Sequence, residues 1–271
     1  MSALDQTGPR AVTPGPRRSR AAGPASWRRR VLRQAGWDLR AVLRNGEQLL
    51  VTFVLPVAVL VGVLRSGVPD LSPLPQEGAA LAGALGVAVV SSAFTGQAIA
   101  LAFDRRSGAL RLLATTPLGR GGLLVSRVLA VGAVVLMQAT ALVLAALLLG
   151  VRPGLAQLLL CLPALVLGTA AMLAAGMLLA GVVRPEGVLG LANLVWVAVL
   201  VGGGLVIPLS QLGADGVPGL LAALALLPTA ALGESLRAAT VDGSAAVGQL
   251  LLLAGWTAVL GLLARRHLRW D

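Results

Sequence analysis

Apolar residues gather in long runs along this chain, and six runs stand out: 47–64, 79–103, 123–149, 155–183, 187–209 and 244–264. A helix needs roughly 20 such residues to cross a bilayer, and each run approaches or exceeds that length. The first is strictly apolar only from Leu49 to Leu64. Its helix must therefore start near Glu47, tilt little, or thin the bilayer locally. A further apolar stretch, Val217–Leu227, is 11 residues long and suits a re-entrant or interfacial segment better than a span.

Ahead of the runs the pattern changes twice. Residues 1–25 are rich in Pro, Gly, Ser and Arg without periodicity, which predicts a disordered tail. From Ser26, a candidate N-cap, to the Asn45-Gly46 stop signal, the spacing becomes helical. At 100° per residue, Trp27, Val31, Leu32, Ala35, Leu39, Val42 and Leu43 fall on one arc. Arg29, Arg30, Arg33, Arg40 and Arg44 fall opposite, while Arg28, Trp37 and Asp38 break the pattern. This reads as an amphipathic helix over 26–46 lying on the membrane surface, or else as a helix packed on protein. The expected fold is thus an all-α polytopic membrane protein. It has an interfacial helix, a six-helix transmembrane domain over 47–264 with a short re-entrant segment before the last span, and a tail at 265–271.

Composition agrees. Hydrophobic residues make up 57% of the chain, charged ones 12%, and the mean hydropathy is +0.87. A soluble domain of 271 residues cannot hide that much apolar surface. All 22 cationic residues are arginine. With six spans, 19 of them lie on the side of the N-terminus, the 104–122 loop with Arg127 beyond it, the 184–186 turn and the C-terminus. Arg65, Arg152 and Arg237 fall on the other side. The positive-inside rule makes the first side cytoplasmic, with both termini there. A seventh span at 217–227 would weaken that bias. The net charge of +11 therefore belongs to topology and anionic lipid rather than to nucleic acid. Arginine without lysine suggests a GC-rich bacterial source, hence a bacterial plasma membrane.

What the apolar interior lacks narrows the function. Glu47 stands at the mouth of the first run, and no ionisable group lies near the middle of any run. Ion-coupled carriers usually need such groups, and membrane hydrolases need a nucleophile with a base, or metal ligands. The single Cys161 and single His267 supply neither a disulfide framework nor a metal site. No catalytic, cofactor or metal residue is expected. Polar residues such as Ser91, Ser92, Thr140, Gln157 and Thr257 are expected to hydrogen-bond between helices. Gln97, Gln138 and Asn193, amides at depth, are the candidates for a substrate path. A phosphate-cradling loop ends in Gly-Lys, so a chain without lysine does not bind and split ATP by itself.

The longest internal loop on the arginine-rich side runs Phe103-Asp104-Arg105-Arg106-Ser107-Gly108-Ala109-Leu110-Arg111-Leu112-Leu113-Ala114-Thr115-Thr116-Pro117-Leu118. Ser107 is read as capping a short helix to about Ala114. Thr116 with Pro117 is read as the start of the next. A short, part-apolar helix between two spans suits mechanical contact with a cytosolic partner, or serves as a plain interfacial elbow.

Here the chain resembles the permease subunits of ATP-binding cassette transporters, type-2 exporter class. The resemblance rests on Phe103-Asp104, Gly108-Ala109-Leu110, Leu112-Leu113, Thr116-Pro117-Leu118 and Arg127 in register. Arg44-Asn45 ahead of a run with Pro56, and Asn193 with Gly204 and Pro208, add to it. So does an outer segment with Pro228, Glu234, Leu236 and Arg237. Departures are Ala109 for Thr, Ala231 for Tyr, Arg127 for Lys, and Arg106 and Arg111 where acids are common. The resemblance implies a homo- or heterodimeric permease served by two ATP-binding subunits that carry ATP and Mg. It also implies a cytoplasmic coupling helix, with Asp104, Arg105, Arg106, Ser107, Gly108, Leu110, Arg111, Leu113, Thr116 and Pro117 meeting the motor. The 210–243 segment would cap the exit. No Tyr, 3 Phe and 5 Trp make a glycan path the weaker expectation, and a hydrophobic drug- or antibiotic-like molecule or a lipid the better one. A membrane scaffold without transport, or an ion-coupled carrier, remains the alternative.

Overall fold

A computed structural model describes residues 25–44, 46–66, 74–211 and 218–267, and among these every regular element is helical. Nearly all of the expected disordered tail, and residues 268–271, lie outside the described residues. In chain order the helices are α1 (Trp27–Arg44), α2 (Gly46–Ser66), α3 (Gln76–Val89), a π-helical stretch Val90–Thr95, and α4 (Gly96–Arg106). Then follow α5 (Ala109–Ala114), α6 (Gly119–Leu148), α7 (Leu155–Val182), α8 (Pro185–Gly202) and a 3-10 turn Leu209–Gln211. The last three are α9 (Pro218–Ala225), α10 (Pro228–Thr240) and α11 (Val247–His267).

Five units are long and apolar enough to cross a membrane: Gln76–Arg106, Gly119–Leu148, Leu155–Val182, Pro185–Gly202 and Val247–His267. The remaining expected span, the run 47–64, corresponds to α2, whose 21 residues extend over about 30 Å at about 1.5 Å rise each. The chain is an all-α multi-pass membrane protein. α9 and α10 meet at a 74° bend, the geometry of a broken span or of a re-entrant loop.

Local chemistry explains the boundaries. Gly150, at φ 93°, ends α6: its N–H donates to Leu147 O at 3.1 Å and that of Val151 to Ala146 O at 2.9 Å. That is the left-handed glycine stop, and it satisfies two terminal carbonyls. Pro185 and Pro228 open α8 and α10 from extended residues Arg184 and Leu227, as a proline at the first helical position requires. Two expectations need correction. The fifth span does not run to 209, because Gly202-Gly203-Gly204 ends α8 and leaves 203–208 as buried irregular backbone. Arg265, Arg266 and His267 are not a separate tail but the last turn of α11.

The core centres on α3, the π stretch and α7, with α10 packed across them. Small residues allow this closeness. A Cβ on Gly176 of α7 would stand 2.5 Å from the carbonyl oxygen of Phe94 in the π stretch. By contrast, most of α8 and α11 faces outward.

Candidate functional site

The arginine-rich end of the molecule carries an elbow, α4–α5–α6, and its geometry differs from the sequence reading at both turns. Ser107 closes α4 instead of opening α5: its N–H donates to Phe103 O at 2.9 Å and its Oγ to Asp104 O at 3.3 Å. The chain then reverses at Gly108, whose φ of 75° is a conformation that glycine adopts without strain. Thr116 likewise closes α5 rather than starting α6. Thr115 Oγ1 donates to Leu112 O at 2.7 Å and Thr116 Oγ1 to Leu113 O at 2.6 Å, so both cap the C-terminal end. α6 begins only at Gly119.

Within α5 the side chains divide sharply. Leu110 is fully buried and anchors the helix, while Leu112 is 73% exposed beside exposed Arg111. Leu113 is half-buried. The exposed leucine of α5 is therefore Leu112, which the sequence reading passed over in favour of Leu110.

Behind α5 the two legs are fastened together. Arg127 on α6 is ion-paired with Asp104 of α4, and its Nη1 donates to Gln97 Oε1 at 3.3 Å. Arg127 is only 7% exposed, so a buried charge is matched by a carboxylate and an amide. Arg105 secures α4 to the end of α7 by donating to Ala180 O, and to Val183 O at 3.0 Å. Arg106 is exposed and lines a cleft of about 100 Å³ with Phe103, Glu186 and Leu189, between α4 and α8.

α1 covers this assembly. Val31 and Ala35 are its buried residues and α6 is its main neighbour, so the packed-on-protein reading describes one face. Trp27, Leu32 and Trp37 stay exposed, together with the outward arginines. Arg30 Nη1 donates to Pro117 O at 2.6 Å and ties α1 to the α5–α6 turn. Asp38, which broke the amphipathic pattern, lines a cavity of about 310 Å³ with Gln97, Asp104 and Arg127. Burial pushes its carboxyl above the ordinary value, opposed by nearby Arg127 and by the Gln34 hydrogen bond of 2.8 Å, and reinforced by Asp104.

A short helix hung between two fastened legs is what the sequence resemblance anticipates. The family model for ABC-2 family transporter proteins matches residues 72–266, from just ahead of α3 through nearly all of α11. The chain belongs to this family. It is a permease component of an ABC transporter, and such a permease works with an ATP-binding partner. No curated protein matches the chain.

Of the remaining candidates of this ABC-2 permease, Gln138, Asn193 and the outer segment lie away from the elbow. Gln138 accepts from Ser92 Oγ at 2.8 Å and donates to Thr52 O at 2.9 Å, stitching α6 to the π stretch and α2. Gln97 is engaged by Arg127, so both amides hold helices together. Asn193 differs: it is exposed on α8 and, among the described residues, donates only to Leu189 O of its own helix, at 2.9 Å. At the opposite end, Pro228 starts α10, and Arg237, 3% exposed, is its most heavily bonded side chain. Arg237 donates to Leu205 O at 2.9 Å, Gly204 O at 2.7 Å and Glu234 Oε1 at 2.7 Å. Those carbonyls belong to the irregular backbone after α8, which lacks helical partners. Irregular backbone at membrane depth persists only where protein satisfies it, and Arg237 does so here. The sequence marked Arg237 as an outer charge and gave no sign of this role.

Proposed function

We propose that this ABC-2 permease is the membrane half of an ATP-driven exporter, with both termini in the cytoplasm of a bacterial cell. Two copies, or this chain and a second permease, would combine with two ATP-binding subunits that carry ATP and Mg. The chain itself would catalyse no reaction. The observation that carries the reading is α5. It presents an exposed leucine beside an exposed arginine on a six-residue helix whose two flanking legs are fastened by the Asp104–Arg127 pair. An apolar residue displayed at a polar, arginine-rich end is suited to a groove on another protein.

The motor would act through this lever. Closure of the ATP-binding pair moves α5, the Asp104–Arg127 link carries the displacement into α4 and α6 together, and Arg105 carries it on to the end of α7. Nucleotide shifts the permease between inward- and outward-facing forms only if the motor holds one form more tightly than the other. The outward face of α8, with Asn193 and few covering neighbours, supports a second permease packed there and a substrate path beside it. The cargo best suited to a Tyr-free, small-residue bundle is a hydrophobic drug-like molecule or a lipid.

Leu112→Asp tests the reading. Its side chain is already exposed, so the variant should insert and fold as the parent does. It should lose co-purification of the ATP-binding subunit, and ATP-dependent export should fall at least tenfold. Export at the parental level from that variant would remove α5 as the coupling element. A parental chain that brings down no nucleotide-binding protein would favour the scaffold alternative.

A further inference from the structure

The arginine-rich end holds a second concave surface that the coupling elbow does not use. Between the start of α6 and the end of α11, a groove of about 1040 Å³ is lined by Arg120, Arg265 and Arg266 at one end and by Val125 and Leu262 along its wall. Trp27 of α1 closes its edge. Glycines shape the floor: a Cβ on Gly121 would lie 3.7 Å from Arg265 Nε, and one on Gly122 would lie 3.5 Å from Trp27 Nε1.

Two features of this groove need explaining together. Among the described residues, none of the three arginines makes an ion pair or a hydrogen bond. All three are exposed and line the same groove, which gathers positive charge there and favours an anion. The wall carries exposed apolar surface in line with that charge, since Leu262 is 56% exposed and Val125 is also open. An acidic protein surface would answer the arginines and leave the wall uncovered. An amphiphile with an anionic head and an acyl chain answers both. Three cations and an apolar wall at the end of a membrane span match such a lipid in charge and in depth.

We infer that this groove is a binding site for an anionic phospholipid. Its phosphate would sit among Arg120, Arg265 and Arg266, and one acyl chain would run along Val125 and Leu262. The lipid would thereby link α6 and α11, one helix of the elbow and one outside it. The inference stands apart from the ATP-driven reading and needs no nucleotide.

The test uses the full chain in detergent micelles, with bound lipid counted by native mass spectrometry. Phosphatidylglycerol should remain bound at concentrations where phosphatidylcholine does not. Each arginine near an anionic headgroup contributes about fivefold in affinity, so the R120Q/R265Q/R266Q variant should bind phosphatidylglycerol about a hundredfold more weakly. The corresponding triple lysine variant should keep most of the binding, and Leu262→Asp should lose it with all three arginines present. The deacylated headgroup and inorganic phosphate should compete poorly. Equal retention of the two lipids would overturn the inference, as would unchanged binding by the glutamine and aspartate variants. Full competition by inorganic phosphate would reduce the groove to a simple anion site. Loss of the ATP-binding subunit from the glutamine variant, with lipid binding unchanged, would assign the arginines to the motor instead. Circular dichroism on each variant separates misfolding from lost binding, and the single R120Q variant supplies a milder reading of the same site.

Discussion

Arg127 of α6 is ion-paired with Asp104 near the end of α4, so the two legs of the elbow are joined behind α5 and not only through it. Displacement of α5 is then shared by both legs at once. Arg127→Gln removes the buried cation and leaves Asp104 without its partner, which should lower stability by about 3 kcal/mol. In proteoliposomes with the motor, ATP hydrolysis should persist while transport per ATP falls. The exchanged pair D104R/R127D should recover part of both losses. Tryptophan-detected thermal unfolding and transport measured in parallel would decide it, and full coupling in R127Q would defeat the argument.

Asp38 gives a pH dependence with a definite sign. Burial raises its folded pKa above the ordinary carboxylate value, so folding favours the protonated carboxyl. That contribution is fully present below the unfolded pKa and is lost as pH rises through the folded value. Asp38→Asn keeps an oxygen to accept from Gln34 and has no charge to desolvate. It should therefore unfold at a higher temperature than the parent at neutral pH, with the gap closing toward about pH 4. A gap that widens in acid would contradict the burial argument.

The Gly176–Phe94 approach makes a steric prediction. A methyl group on Gly176 would stand 2.5 Å from a backbone oxygen, which cannot swing aside as a flexible side chain can. Gly176→Ala should cost about 1–3 kcal/mol through overpacking. Gly190 on α8 has nothing within 4 Å of the corresponding position, so Gly190→Ala should be neutral or mildly stabilising. Comparing the two by thermal unfolding controls for the membrane environment.

At the other end, Arg237→Ala leaves Gly204 O and Leu205 O without their donor. The expected loss is about 3 kcal/mol. Arg237→Lys keeps one cationic donor and should retain part of it. Proteolysis between α8 and α9 provides a local readout, because the 203–208 backbone should become cleavable in the alanine variant before the whole protein unfolds.

The six apolar runs were legible because span length is set by the bilayer and announces itself in composition. The run 187–209 hid the end of α8, because the apolar Leu205-Val206-Ile207 after Gly202-Gly203-Gly204 extends it in composition. Ser107 and Thr116 were recognised as capping residues and assigned to the wrong helices. A hydroxyl can cap the helix behind it or the one ahead, and the turns at Gly108 and Gly119 decide. Leu110 and Leu112 could not be told apart, since six residues are too few for a helical period to reveal an inward side. Asp38, by contrast, was flagged as an exception to its helix, and that exception was a genuine signal: it faces the cavity beside Arg127.

The glycine seam between α7 and the π stretch also restricts how the molecule can change shape. Parts that touch backbone to backbone have no slack for sliding, so α3, the π stretch, α4 and α7 should turn as one plate. Rearrangement is left to the periphery, where α8 has few neighbours to hold it. Spin labels placed on α8, rather than within the plate, are where distance changes between states should be sought.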